Sequence, residues 1–153
     1  MEIPVQEKVA LVSDEDFERV SKFKWNLNSS NYAGAWIDGE QIFLHRFIMG
    51  ARKGEEVDHI NGSRLDCRRE NLRLCTHSQN IANDGPRINN KLGIKGVDLR
   101  PNGKYRTTIR VNYKKIHVGS FVHLKEAALA YNEASRKYFG EFGYQNKIEE
   151  IPC

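Results

Sequence analysis

The order of patterns between residues 92 and 146 constrains the fold more than any other feature of the sequence. Three stretches there, GVDLR, KYRTTIRV and KKIHVGSF, alternate in polarity as strands with one buried face do. Asn102 with Gly103, and Asn112 with Tyr113, predict turns between them. Apolar residues at helical spacing follow. They are Leu124, Ala127, Ala128, Tyr131, Ala134 and Tyr138. The segment therefore predicts a three-stranded antiparallel sheet packed on one helix.

The first fifty residues predict a β-rich segment with one short helix. KVALVS predicts a strand, and Ser13 is a candidate N-cap before acidic residues that favour a helix N-terminus. Short strands are predicted over residues 25–27, 32–37 and 41–43. Asp38 and Gly39 predict a hairpin turn between the last two.

A polar segment over residues 51–84 separates these two parts of the chain. VDHI predicts a strand and residues 78–83 a short helix, with the polar loop NGSRLDCRREN between them. Residues 87–91, RINNK, predict a basic, extended linker after this helix. We therefore expect an α+β fold with one module over residues 1–86, the linker, and a second module over residues 92–146.

The composition excludes several classes of protein. Hydrophobic residues make up 39% and charged residues 29%, and no apolar run approaches the roughly 20 residues that a membrane-spanning helix needs. The mixed, acidic N-terminus predicts neither a signal peptide nor a transit peptide, so a reducing cytoplasm is expected. Three cysteines without a CxxC pair, Cys67, Cys75 and Cys153, argue against a disulfide scaffold and against structural zinc.

Positive charge is concentrated in one part of the chain. The net charge is +4, yet residues 87–117 carry nine Lys and Arg against the single acidic residue Asp98. Such a stretch favours a polyanionic partner such as nucleic acid. Charge alone leaves open the alternative that it is a solvated surface.

Four polar residues in the middle segment form a candidate catalytic set. Asp58 and His59 are adjacent on the predicted strand, Asn71 lies in the loop and Asn80 on the short helix. Carboxylate and carboxamide oxygens suit a hard cation such as Mg²⁺, and an imidazole can deprotonate water near neutral pH. The alternative is a turn-rich structural loop in which Asn71 bonds to the backbone.

Two known families resemble these segments. LHRFIMG at residues 44–50, VDHINGSRLDCRRENLR at residues 57–73 and the helix residue Asn80 resemble the HNH nuclease family, in its phage homing-endonuclease branch. IPVQEKVALVSDEDFERVSKFKW is similar to the N-terminal part of those proteins. GIKGVDLRPNGKYRTTIRV, KKIHVGSF and EAALAYNEASRKYFGEF resemble the Apetala/ethylene-response-factor DNA-binding domain.

The HNH resemblance implies a ββα-metal active site. Asp58 and Asn80 would hold one Mg²⁺ or Mn²⁺ ion, His59 would be the general base, and Asn71 would hold the imidazole and the loop in place. Asn80 stands where many members have the final His of the motif, which matches the one-metal, nicking branch.

Three further residues bear on that assignment. His77 is the nearest competitor of Asn80 as a ligand, but its position three residues before the matched one argues against it. His45 is expected to be a buried structural histidine. Cys67 stands where the branch usually has Asn, a departure that could weaken contacts of the loop or of DNA without removing a catalytic group.

The second resemblance implies that the sheet binds DNA. On its middle strand Lys104, Arg106 and Arg110 share the face with Thr108, whereas their neighbours meet the helix. Arginine can pair with guanine, and lysine mostly contacts phosphate. The full set of DNA-contact candidates is Arg64, Arg68, Arg69, Arg73, Arg87, Lys91, Arg100, Lys104, Arg106, Arg110, Lys114 and Lys115.

The expected function is a metal-dependent homing endonuclease that nicks or cuts double-stranded DNA to 5′-phosphate and 3′-hydroxyl ends. It would act as a monomer in the cytoplasm of an infected bacterial host. One alternative is a DNA-binding regulator with an inactive nuclease module, and another is a structural RNA-binding protein, which would leave Asp58 and His59 without a purpose.

Overall fold

The computed structural model describes residues 1–151 and has a mixed α+β fold of small sheets and few helices. The strands are β1 Glu2–Val5, β2 Lys8–Val12, β3 Asn26–Leu27, β4 Ala33–Ile37, β5 Glu40–Phe43, β6 Glu56–His59, β7 Asp66–Cys67, β8 Leu72–Cys75, β9 Val97–Leu99, β10 Tyr105–Val111 and β11 Lys114–Phe121. The α-helices are α1 Asp14–Val20, α2 Leu44–Met49, α3 His77–Asn83 and α4 Leu124–Phe139. The chain forms two compact units, Met1–Asn80 and Ile81–Cys153.

The first unit holds three small sheets around one apolar core. Strand β2 pairs antiparallel with β1 and parallel with β7, while β3, β4 and β5 form an antiparallel meander. Trp25 is buried in the core, and its indole nitrogen donates to the carbonyl of Val20 at 2.8 Å. This satisfies the one polar atom of a large buried side chain.

Helix α1 begins after Ser13 as predicted, but the hydroxyl of Ser13 does not cap it. That hydroxyl accepts a hydrogen bond from the backbone nitrogen of Arg69 at 2.9 Å instead. Arg69 also donates to the buried carboxylate of Asp16, at 2.7 and 2.9 Å. A side chain in the first turn of α1 thus fixes a distant loop, which local helix signals do not predict.

Helix α2 was not predicted from the sequence, although its residues carry part of the family resemblance. Leu44 and Ile48 are buried on one face, four residues apart, as helical periodicity requires. The helix ends at Met49 and is followed by Gly50, whose φ of 61° is left-handed and suits glycine. Strands β6 and β8 then pair antiparallel, and α3 follows directly.

In the second unit, β10 lies between β9 and β11 in an antiparallel sheet, and α4 packs on one face. Thr107 and Ile109 are buried towards α4, where the hydroxyl of Thr107 donates to the carbonyl of Ala127 at 2.9 Å. The predicted alternation along β10 is confirmed.

The sequence predicts an extended linker over residues 87–91, but in the structure this segment is not extended. The backbone nitrogen of Asn90 donates to the carbonyl of Arg87 at 2.8 Å, which closes a turn. The side chain of Asn90 then donates to the carbonyl of Ile94 at 2.6 Å. This segment is therefore folded onto the second unit by local hydrogen bonds.

Within residues 1–151, no helix is both long enough and apolar enough to cross a membrane. Cys67 and Cys75 are free thiols, in agreement with the expectation from the sequence. The prediction for Cys153 lies outside the described residues.

Candidate active site

The hairpin of β6 and β8 positions the two adjacent residues of the candidate site. In its register Asp58 lies opposite Arg73, and His59 lies opposite Leu72. Because side chains alternate along a strand, Asp58 and His59 point to opposite faces of this hairpin. His59 is the last residue of β6, so the chain turns away directly after it.

Asp58 is held by an arginine across the hairpin. Its carboxylate is 4% exposed, and its Oδ2 atom accepts hydrogen bonds from Nε and Nη2 of Arg73 at 2.9 and 2.7 Å. Charge-assisted bonds of this kind strongly restrict a carboxylate. Arg73, a predicted phosphate contact, therefore orients Asp58 in this structure.

Asn80 contacts the face of β6 that carries Asp58, because it is hydrogen-bonded to Glu56 on that face. Glu56 precedes Asp58 by two residues on β6 and so shares its face. The amide nitrogen of Asn80 donates to Oε2 of Glu56 at 2.7 Å, and Nδ1 of His77 lies 2.7 Å from Oε1. The pKa of Glu56 is held below its usual value, chiefly by the hydrogen bond from Asn80. Glu56 was not among the predicted site residues.

His59 is buried on the other face among aromatic rings. Its ring centroid lies 5.0 Å from that of His45 and 6.0 Å from that of Tyr32, and Nε2 lies 3.8 Å from Sγ of Cys67. Burial lowers the pKa of His59, which favours the neutral imidazole. Burial also raises the pKa of Cys67 to about 12, so the contacting thiol remains protonated.

His45 is buried, as predicted, at the start of α2. Its Nδ1 atom has no hydrogen-bond partner among residues 1–151. Burial, together with the neighbouring His59 and Arg46, lowers its pKa to about 3. His45 is therefore a neutral ring that packs against His59.

Asn71 secures the loop that follows His59. Its side-chain oxygen accepts a hydrogen bond from the backbone nitrogen of Asn61 at 2.9 Å, and its amide donates to the carbonyl of Asp66 at 2.7 Å. The backbone nitrogen of Ile60 also donates to the carbonyl of Asn71 at 2.9 Å. The buried carboxamide thus ties both ends of the loop together.

The four arginines predicted as phosphate contacts near this site all have intramolecular partners. Arg68 donates to both oxygens of Asp66 at 2.8 Å, and Arg69 and Arg73 bind Asp16 and Asp58 as described. Arg64 lies over the ring of Tyr32 at 4.9 Å and donates to the carbonyl of Ser30. Their contact with DNA stays a prediction.

In the second unit, three basic strand residues, Arg106, Arg110 and Lys115, lie on the sheet face opposite α4, whereas Lys114 pairs with Val111 on the face that α4 covers. Arg110 and Lys115 are exposed and face each other across β10 and β11. Arg106 donates to Asp98 at 3.0 and 3.1 Å, and Nη1 of Arg100 lies 3.6 Å from Oδ2 of Asp98, so the single acidic residue of this stretch pairs with two of its cations. The other candidates are exposed as well: Arg87, Lys91, Arg100, Lys104 and Lys114.

One exposed residue of this face was missed at the sequence level. His117 lies opposite Thr108 in the register, on the face that carries Arg110 and Lys115. The alternation of KKIHVGSF could have found it, since His117 is two residues from Lys115.

Among residues 1–151 no three His, Cys, Asp or Glu side chains converge as a metal-binding group. The candidate ligands are one carboxylate, Asp58, and one carboxamide, Asn80, so they would not form such a group of three. Mg²⁺ in particular often takes only one or two protein carboxylates and completes its shell with water and substrate phosphate.

Comparisons with known proteins agree with the sequence pattern. A family model described as HNH endonuclease matches residues 44–82, which include α2, the β6–β8 hairpin and most of α3. A protein of Acanthamoeba polyphaga mimivirus, named as an uncharacterized HNH endonuclease, is 32% identical over 146 residues, which cover 92% of this chain and 75% of the relative. No solved structure matches the chain. The chain belongs to the HNH endonuclease family and is a nuclease.

Proposed function

We propose that the protein is a divalent-metal-dependent endonuclease that hydrolyses phosphodiester bonds of double-stranded DNA. The observation that carries this proposal is the arrangement around β6. Asp58 and the Glu56–Asn80 pair share one face of the strand, and His59 ends it. This arrangement supports a ββα-metal site built from β6, β8 and α3.

The donor set fits one hard cation. Asp58 supplies a carboxylate whose orientation Arg73 restrains, and Asn80 supplies a carboxamide whose nitrogen is already bound to Glu56. Oxygen ligands of this kind suit Mg²⁺ or Mn²⁺. Ligating carboxylates are commonly hydrogen-bonded in turn, so the Arg73 contact is compatible with such a site.

The remaining residues have separate roles in the proposed reaction. A bound Mg²⁺ would stabilise negative charge on the scissile phosphate and on the leaving 3′ oxygen. Because His59 is the last residue of β6, we propose that its imidazole reaches the same phosphate as Asp58 at the end of the strand. There it accepts a proton from the attacking water, whose oxygen forms a bond to phosphorus as the bond to the 3′ oxygen breaks, and solvent water protonates the leaving 3′ oxygen. Asn71 holds the loop behind His59 in place. The products are a 5′-phosphate and a 3′-hydroxyl.

The second unit is proposed as the targeting module, in keeping with its resemblance to the Apetala/ethylene-response-factor domain. Its sheet leaves the face with Arg110, Lys115 and His117 exposed, while α4 covers the other face. A β-sheet of this size can lie in the major groove of DNA. With one site per chain, we propose a monomer that nicks first and acts as a homing enzyme, in the cytoplasm of an infected bacterial host.

Replacing Arg110 and Lys115 together with alanine should weaken DNA binding uniformly across sequences. If both contact phosphate, the slope of log K against log salt concentration falls by about 2. Binding titrations at several salt concentrations measure this slope. The matched control is Lys125→Ala with Lys137→Ala, two exposed lysines of α4. An equal loss of slope in the control would show that only total charge matters.

A plasmid assay tests the proposed function against its main alternative, a DNA-binding regulator with an inactive nuclease module. Supercoiled plasmid libraries with random inserts should be nicked in Mg²⁺ or Mn²⁺ and remain intact in EDTA. Mapping the ends on both strands gives the target and the number of strands cut. Binding without metal-dependent cutting would favour the regulator.

A further inference from the structure

Glu56 makes two hydrogen-bonded contacts to α3. Its Oε2 atom accepts a hydrogen bond from Nδ2 of Asn80 at 2.7 Å, and its Oε1 atom lies 2.7 Å from Nδ1 of His77. The two partners are three residues apart, so they lie on one face of the helix. The side chain of Glu56 is 32% exposed, which leaves it partly sheltered from competing water.

The chemistry of these groups determines which way the Asn80 amide points. A carboxylate has only acceptor atoms, whereas a carboxamide has an NH₂ donor at one end and an oxygen acceptor at the other. Asn80 must therefore turn its NH₂ group towards Glu56 and its oxygen away from it. A carboxamide turned the other way would present its NH₂ group to a cation, and could not bind it.

Glu56 and Asp58 differ in their surroundings. Asp58 is buried and paired with Arg73 within the hairpin, whereas Glu56 reaches across to α3. Both carboxylate oxygens of Glu56 already contact α3, Oε1 at His77 and Oε2 at Asn80, so we treat Glu56 as a partner of a ligand and not as a second acidic ligand. Its effect on a cation goes through Asn80.

We propose that Glu56 is a positioning residue of the metal site, which orients the Asn80 carboxamide oxygen towards the cation and fixes α3 to β6. The inference rests on the proposed function, since it takes Asn80 as a ligand. It also assigns His77 a role other than that of a competing ligand. His77 anchors the second oxygen of Glu56 and so restricts the carboxylate that orients Asn80.

The test is Mn²⁺ binding to the 153-residue chain without DNA, followed by electron paramagnetic resonance of the free ion. Glu56→Ala should weaken binding about 10- to 100-fold, the range found when outer-shell partners of metal ligands are removed. Glu56→Gln should stay within about threefold of the wild type, because its side-chain oxygen still accepts from Asn80. Glu55→Ala, which removes a neighbouring carboxylate that binds the backbone of Arg52, is the matched control and should leave binding unchanged.

The outcomes separate this inference from the function on which it rests. Wild-type affinity in Glu56→Ala, or equal losses in Glu56→Ala and Glu56→Gln, would overturn the positioning role. Undiminished Mn²⁺ binding in Asp58→Ala would overturn the proposed metal site itself, and the inference with it. Thermal unfolding in EDTA shows whether each variant is folded, and rescue by glutamine excludes a merely structural effect of Glu56.

Discussion

Replacing His59 with alanine should reduce the rate of DNA cleavage by about 10²- to 10⁴-fold, the usual contribution of a general base. Affinity for DNA should stay within about twofold, because His59 is 5% exposed and the basic sheet face proposed to bind DNA belongs to the other unit of the chain. Single-turnover nicking of a plasmid in Mg²⁺ measures the first quantity. Binding of a labelled duplex in EDTA measures the second.

A second variant is needed to separate loss of the general base from loss of packing. His59 contacts the rings of Tyr32 and His45, and alanine would leave a cavity there. His59→Gln fills more of that space but cannot accept a proton at neutral pH, so it should be as inactive as His59→Ala. The control is His123→Ala, which removes an exposed histidine before α4 and should cleave normally. Parallel losses of cleavage and DNA binding in both variants would mean that His59 is structural.

Replacing Gly96 with alanine should unfold the second unit. Gly96 has a φ of 76°, and an added Cβ would lie 2.1 Å from the ring of Tyr131 and 2.6 Å from the carbonyl of Thr108. Its own carbonyl accepts a hydrogen bond from Thr108 at 2.8 Å, so the backbone cannot move away cheaply. Such a clash in a packed interior costs more than about 4 kcal/mol, a large part of the stability of a small domain.

A neighbouring glycine supplies the control for this prediction. Gly93 also has a left-handed φ, 65°, but nothing lies within 4 Å of its missing Cβ. Gly93→Ala should therefore cost only about 1–2 kcal/mol, the conformational penalty alone. Hydrogen exchange of the β10 amides reports on the second unit separately. The tyrosine fluorescence of the folded protein should change, and DNA binding should be lost, only in Gly96→Ala. Similar exchange rates in the two variants would contradict the steric argument.

Part of the fold could be predicted from local patterns because those patterns are repeated along a single element. The alternation in KYRTTIRV places Thr107 and Ile109 against α4, and the alanines of α4 allow the close approach seen at Ala127. Strands β4 and β5 flank the predicted turn at Asp38 and Gly39. Helix α2 was missed because it is six residues long, too short for periodicity to distinguish it from a strand.

Within the candidate site, the sequence predicted which residues belong to the site, but it did not predict which side chains contact them. Asp58, His59, Asn71 and Asn80 were identified by their chemistry and by family resemblance. The partners Arg73, Glu56 and Cys67 were found only in the structure, because each contact joins residues 8 to 24 positions apart. Arg69 illustrates the same limit: its charge suggested a phosphate contact, yet its guanidinium binds Asp16.

The sequence by itself determined the family, the helix–sheet pattern of the second unit and the concentration of positive charge in residues 87–117. These properties depend on local patterns or on sums over residues, so they can be inferred from the sequence without a structure. Only the tertiary structure decided that β6 pairs with β8, that an arginine across this hairpin holds Asp58, and that Glu56 accepts a hydrogen bond from the amide of Asn80. The physical reason is that hydrogen bonds between distant residues depend on strand register and helix placement, which the whole packed chain sets.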